Sequence, residues 1–207
     1  RLTTQFASKP ISRTKFPNQG WLVAWLQLGK FLKEIMGVIV LCSTHLLSFL
    51  QFLKNRNFPP LIYKKPVHKF EILVEKNCTS SIFDLLELHG IGHSGGSLSV
   101  LQVLISLYFE IANVDSTNPK WPQRDRIVLS KAHATEAMYA VLAEKGYFEK
   151  TRFSEYLRLG SDIQGHVEIS TPGVEYSGGS LGQGISFACG LAYSAKLKKK
   201  NYKVFCI

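Results

Sequence analysis

The chain has 207 residues, 45% of them apolar, enough to bury one sizeable core. Its formal charge of +10 is unevenly placed: residues 1–77 hold 12 Lys and Arg against three acids (Glu34, Glu71, Glu75), whereas residues 78–207 hold 13 against 12. The second part is electrically balanced, which argues against a nucleic-acid-binding core, since such a core would carry its positive charge on the folded domain. Four cysteines (Cys42, Cys78, Cys189, Cys206) are scattered without a C-x-x-C pair, a spacing that suits neither a zinc site nor a disulfide framework. Cys189 and Cys206 lie among apolar residues and are expected to be buried free thiols, which points to a reducing compartment. The expected location is the cytoplasm, with organelle targeting as the alternative.

The front segment, residues 1–77, reads differently from the rest. Residues 1–33 contain no acid and intersperse Arg1, Lys9, Arg13, Lys15, Lys30 and Lys33 with Ser and Thr, a composition like that of a transit peptide. Residues 35–53 carry no charge and reach the lower limit of a membrane span, although Ser43, Thr44, His45, Ser48 and Gln51 dilute their apolar character. Three readings stand: a membrane anchor, a targeting extension, and translated sequence never selected as protein. The last is the reading taken, and no function is built on this segment. Phe58-Pro59-Pro60 and Lys64-Lys65-Pro66 read as a linker.

From residue 78 the pattern becomes orderly. Ser81 to His89 predicts a short helix broken by Gly90-Ile91-Gly92. Gly95-Gly96 opens a second helix, roughly Leu98 to Ala112, in which Ser99 and Gln102 have capping-box spacing. That helix is apolar almost all round and should be buried. Asn118 to Pro122 reads as a loop, and Arg126 to Ser130 as a short buried strand. A helix from about Thr135 should end at Gly146, and another short one runs from Thr151 to Gly160. Residues 161–179 form a long loop, followed by a Gly-rich turn, a helix over about 181–200 and a strand at 202–207. Strands alternating with helices predict an α/β domain built on a parallel sheet with flanking helices. The Lys196, Lys198, Lys199, Lys200 cluster fits a solvated helix end that complements the helix dipole.

Three histidines sit at element boundaries: His93 in Gly92-His93-Ser94, His133 in Ala132-His133-Ala134 and His166 in Gly165-His166-Val167. Imidazoles on loops at strand ends can bind phosphate or substrate hydroxyls and move protons near neutral pH. Each alone reads more readily as a loop histidine bonded to backbone. Separations of 40 and 33 residues give no local zinc spacing. Gly178-Gly179-Ser180-Leu181-Gly182-Gln183-Gly184, just before a helix, allows a backbone to approach a ligand closely. It misses the G-x-x-x-x-G-K-[ST] pattern of a nucleotide loop, and its glycines could instead serve helix packing.

Taken in order, Gly92-His93-Ser94-Gly95-Gly96-Ser97-Leu98-Ser99, Asn118-Pro119-Lys120-Trp121 and Arg124-Asp125-Arg126-Ile127-Val128-Leu129-Ser130-Lys131-Ala132-His133 resemble the amino-terminal region of transketolases. Gln164-Gly165-His166, Thr171-Pro172-Gly173-Val174-Glu175 and Gly179-Ser180-Leu181-Gly182-Gln183-Gly184 continue the match in register. It covers about residues 78–207, and the wording is especially similar to the stand-alone amino-terminal subunit of split transketolases.

The resemblance implies a thiamine-diphosphate-binding fold and transfer of a two-carbon ketol unit between sugar phosphates, the cofactor supplying the reactive carbon and the protein orientation and electrostatics. It places His93 and His166 at the sugar substrate, in its proton transfers, and His133 near the cofactor diphosphate. Gly179, Ser180 and Leu181 would line the cofactor. It also implies a partner, the carboxy-terminal half or subunit of the enzyme, in a homodimer or heterotetramer. Three positions depart from the family pattern: Ser94 and Val167 stand where Pro is usual, and Ala132 where Gly is usual. The family's Gly-Asp-Gly motif, which holds Mg²⁺ on the diphosphate, is expected beyond Ile207, so the fold reads as incomplete at its carboxy end and the chain as inactive alone. The final strand is expected to leave an unpaired sheet edge. The alternative reading is a non-catalytic remnant or interaction module, tethered to a membrane through residues 35–53.

Overall fold

The computed structural model describes residues 38–40 and 69–207. The transit-like stretch and nearly all of the uncharged run 35–53 lie outside these residues. The first helix, α1 (Lys69–His89), begins well before the expected Ser81. Val74, Cys78, Ile82 and Leu85, spaced four, four and three apart, form one fully buried stripe along it. Burial, and then the nearby Glu144 carboxylate, push the Cys78 thiol up to about 12, so it behaves as a core side chain.

Helix α2 (Ser94–Ser106) starts earlier than the sequence suggested and continues through a π-helical turn, Leu107–Ile111. The Ala112 N–H closes that turn on the Leu107 carbonyl at 2.9 Å. Because the helix starts at Ser94, the expected Ser99–Gln102 capping box does not form. The Ser99 hydroxyl donates back to the Gly96 carbonyl, and Gln102 donates to Glu75. The stretch Ser94–Ile111 is long and apolar enough to cross a membrane, yet Val100, Leu101, Leu104 and Tyr108 lie in the protein core. Helix α3 (Thr135–Lys145) packs against both α1 and α2, and its residues 135–143 are all buried. It ends where expected, at Gly146, whose φ of 88° is the left-handed C-terminal conformation. The expected helix after Thr151 is a 3₁₀ segment, Lys150–Glu155.

Three short parallel strands lie beside this helical layer: β1 (Val38–Val40), β2 (Arg126–Val128) and β3 (Val204–Cys206), in the order β1-β3-β2. Arg126 and Val38 both register with Val204. The expectation of an unpaired final strand is therefore corrected: β3 is central, with β1 from the front segment on one side. Helix α4 (Gln183–Leu197) connects back to β3 and buries Gly184, Ala188, Ala192 and Ala195. Of the two cysteines expected to be buried here, Cys206 is buried and Cys189 only half so; both are free thiols.

Two polar ties fix the sheet. The buried Asp125 carboxylate accepts from the Asn113 N–H at 2.9 Å and the Lys203 N–H at 2.6 Å, which sets the start of β2 against β3. Glu175 receives a two-point grip from Arg124, at 2.8 and 2.9 Å, with Arg126 at 3.6 Å. Burial pushes the Glu175 carboxyl up from its ordinary value against the pull of both arginines. The Arg124–Arg126 and Thr171–Glu175 stretches are thus clamped to each other, holding the long loop against the sheet.

Gly184 carries the contact between α4 and the end of β2. A Cβ there would stand 2.7 Å from Ser130 Cβ and 2.8 Å from Ser130 Cα. Backbone cannot yield as a side-chain tip can, so Gly184→Ala should destabilise the fold by about 1–3 kcal/mol. Urea unfolding followed by circular dichroism checks this, and an unchanged midpoint would refute the close contact.

Candidate functional site

The pairing of β2 with β3 continues past both strands. The Ile207 N–H donates to Val128, and the Ile207 carbonyl accepts from Ser130 at 2.7 Å and Lys131 at 3.0 Å. This fixes the segment that leads from β2 through Lys131 and Ala132 to His133. Thr135 caps the turn through its hydroxyl, which donates to the Ala132 carbonyl at 2.9 Å.

His133 lies on the first turn of α2, where Gly96 makes the approach geometrically available: a Cβ at Gly96 would be 2.4 Å from the imidazole Cδ2. His93, immediately before α2, meets His133 edge to face, with ring centroids 5.7 Å apart and planes at 69°. Lys131 reaches across to the Ser99 hydroxyl on α2. His133 is held below its ordinary value, by burial first, then by Lys131 and His93, with His166 adding to the push and Glu136 opposing it. The structure therefore gathers His93 and His133 in direct contact and brings His166 within electrostatic reach. His166 and His93 are exposed, His133 half-buried. The Nδ1 atom of His133 is buried and has no hydrogen-bond partner.

The Gly-rich turn closes over this loop. The Gly178 N–H donates to the Val167 carbonyl at 3.0 Å, joining the turn to the His166 segment, and the Gly182 N–H donates to the Ser130 carbonyl at 3.4 Å. Gly182 is the residue before α4 and adopts φ 88°, a left-handed conformation that glycine takes without strain. Gly179, Ser180 and Leu181 are exposed, and their N–H groups donate to no backbone carbonyl among the described residues. Ala132, one of the departures from the family pattern, is buried; a Cβ on Gly178 would lie 3.4 Å from its methyl carbon. That methyl packs beneath the Gly-rich turn. Val167, another departure, is likewise fully buried.

Two groups that the sequence did not single out support the face. The Tyr139 hydroxyl donates to the Gln164 carbonyl and accepts from the Gln164 N–H, both at 3.0 Å, pinning the loop that carries His166. Burial holds its phenol above the ordinary value. Glu136 sits behind His93 and accepts from its backbone N–H. Neither has a local signature, since an aromatic or an acid inside a helical pattern reads as core or as surface.

The family described as "Transketolase, thiamine diphosphate binding domain" matches residues 76–204. The chain belongs to the transketolase family. This transketolase chain is 46% identical over 119 residues to the 6-deoxy-6-sulfo-D-fructose transketolase subunit SqwG of Clostridium sp. (strain MSTE9), covering 57% of this chain and 43% of that protein. It is 38% identical over 141 residues to an apulose-4-phosphate transketolase subunit of Phocaeicola vulgatus, covering 68% and 50%. The solved transketolase from Leishmania mexicana superposes with a TM-score of 0.52 at 34% identity, over 57% of this chain and 18% of that one. The chain thus spans half or less of the length of these relatives.

The transketolase face suits the diphosphate end of thiamine diphosphate. Three exposed backbone N–H groups without a backbone acceptor among the described residues precede the 15-residue helix α4 and are free to meet anionic oxygens. The unpartnered His133 Nδ1 stands in the adjoining loop. Among the described residues no group of three His, Cys, Asp or Glu side chains could hold a metal ion.

The electrostatics of His133 can be checked directly. Its folded value is depressed, so the stability it contributes is present above the ordinary value of 6.5 and is lost as pH falls through the depressed one. In a proton NMR titration the His133 Cε1 signal should turn over below pH 6.5, and Lys131→Met should move that midpoint upward. A midpoint at or above the ordinary value would contradict the placement of Lys131 and His93 around the ring.

Proposed function

We propose that this chain provides the diphosphate-holding wall of a transketolase that moves a two-carbon ketol unit from a ketose phosphate to an aldose phosphate. The observation that carries the reading is the gathering of His93, His133 and the Gly179–Leu181 turn at the end of β2, with His166 within electrostatic reach. Thiamine diphosphate, when bound, supplies the nucleophilic carbon that neither imidazole nor any other side chain offers. The N–H groups of Gly179, Ser180 and Leu181 orient the diphosphate, together with His133. Its surroundings hold the ligand-free His133 ring below its ordinary value, which favours the neutral imidazole as a hydrogen-bonding group. His93 and His166, exposed on the same face, bind the sugar hydroxyls and carry protons to and from them.

The Mg²⁺ that balances a diphosphate needs oxygen ligands, and we assign these to the Gly-Asp-Gly segment that the family resemblance places beyond Ile207. The open face requires a second wall. The relatives named as subunits of 6-deoxy-6-sulfo-D-fructose and apulose-4-phosphate transketolases support the reading that a separate, complementary chain supplies it. The substrates are then phosphorylated or similarly anionic sugars, and the assembly a dimer or heterotetramer. The chain by itself is inactive on this reading.

Ketol transfer is measured with the full-length product combined with its complementary half, thiamine diphosphate and Mg²⁺. His93→Ala and His166→Ala should each lower kcat by about 10²- to 10⁴-fold, the usual worth of a positioned acid or base. His133→Ala should act mainly on the cofactor concentration needed for half-maximal rate. Full turnover by both of the first two variants would refute the assignment, as would ketol transfer by the 207-residue chain alone.

A further inference from the structure

We propose that Glu136 is a positioning residue for His93. The residue, 1% exposed, sits in the first turn of α3 and collects three donors from two parts of the chain, the start of α2 and the 3₁₀ segment's end. Oε1 accepts from the His93 backbone N–H at 3.2 Å and from the Tyr156 hydroxyl at 3.1 Å. Oε2 accepts from the buried Ser97 hydroxyl at 2.7 Å. Burial first, and then Glu136 itself, hold the Tyr156 phenol above its ordinary value, so this hydroxyl stays protonated and keeps donating.

The loop before α2 is shaped to reach this group. A Cβ at Gly92 would stand 2.5 Å from Glu136 Oε1 and 2.3 Å from Leu86 Cδ2, and its φ is 157°. A side chain there would displace the ends of both the Leu86 and Glu136 side chains. His93 is itself exposed and has no side-chain cap on α2. Its carbonyl accepts from the Ser97 N–H at 2.9 Å, and its own N–H bond to Glu136 is the second polar tie, the one that links the start of α2 to α3 where the ring leaves the backbone. The ring then stands edge-on to His133, whose segment begins three residues before Glu136 on the same connection. One buried carboxyl thus references both imidazoles to a single helix turn. Ser97 on Oε2 and Tyr156 on Oε1 hold that carboxyl in place, because a buried acceptor bonded through both oxygens has little freedom to turn.

The consequence for catalysis rests on the reading of His93 as a substrate-facing group, but the tie itself is tested without cofactor or substrate. In the full chain, the His93–His133 ring contact should give a cross-ring nuclear Overhauser effect, and the His93 amide should be protected from hydrogen exchange although the residue is exposed. Glu136→Ala should abolish both. Glu136→Gln should retain both, because the amide oxygen can still accept from His93 while its NH₂ donates to Ser97. Asn77→Ala removes a bond to Glu144 between the same two helices, α1 and α3, away from the histidines, and should leave both signals intact. A folded Glu136→Ala chain that keeps the ring contact would overturn the proposal. Should that variant not fold, the unmodified chain still decides: His93 amide exchange at the rate of an open loop overturns it, and protection supports it. If the tie holds and ketol transfer is never found, the functional reading fails while this one stands.

Discussion

Everything at the candidate site depends on the parallel pairing of β2 with β3 being carried one step beyond the strands. Parallel strands end on the same edge of a sheet, so the segments leaving them are neighbours. Here the Ile207 carbonyl takes the N–H groups of both Ser130 and Lys131. That pair of hydrogen bonds to one acceptor stops the chain from leaving β2 freely and turns it toward α2. Gly184 then lets α4 settle on Ser130, and the Gly182 N–H adds its own bond to the Ser130 carbonyl. Three segments far apart in sequence meet at one residue, and the histidine loop and the Gly-rich turn share a wall as a result.

The two layers divide the work. The helical layer is apolar and nearly closed, with α3 buried on every side, and it supplies rigidity. The face presented at the sheet end is open: His93, His166, Gly179, Ser180 and Leu181 are all exposed. Its polar groups are either tied from behind, as by Tyr139 and Glu136, or left without a partner, as are the His133 Nδ1 and the turn N–H groups. Buried polar atoms are rarely left unmet in native proteins. The His133 Nδ1 is such a buried atom, whereas the N–H groups of the turn belong to exposed residues.

Much of this was legible in the residues, and the failures have physical causes. The α3 helix and its glycine stop were readable because capping chemistry is local. The histidines and the Gly-rich turn could be named from their order in the chain, and it is topology that brings them together. The start of α1 was hidden because Lys69, Glu71, Glu75 and Lys76 make that stretch look like more of the charged front segment. Its buried stripe becomes visible only when Val74 and Cys78 are read in phase with Ile82 and Leu85. The capping box at Ser99 failed because two glycines were read as preceding a helix that in fact contains them. Glu136 had no sequence signal at all, since its partners lie 43, 39 and 20 residues away. The pairing of β1 beside β3 was equally out of reach, being a three-residue strand within a long uncharged run.

On the function proposed above, the turn at Gly179–Leu181 and His133 form a diphosphate-binding wall. It is tested by the amide and imidazole NMR shifts of this chain, combined with its complementary half, while thiamine diphosphate and Mg²⁺ are added. The account predicts that the largest changes fall on Gly179, Ser180, Leu181 and the His133 ring. Changes confined to the basic Lys196–Lys200 end of α4, or none at all, would contradict it.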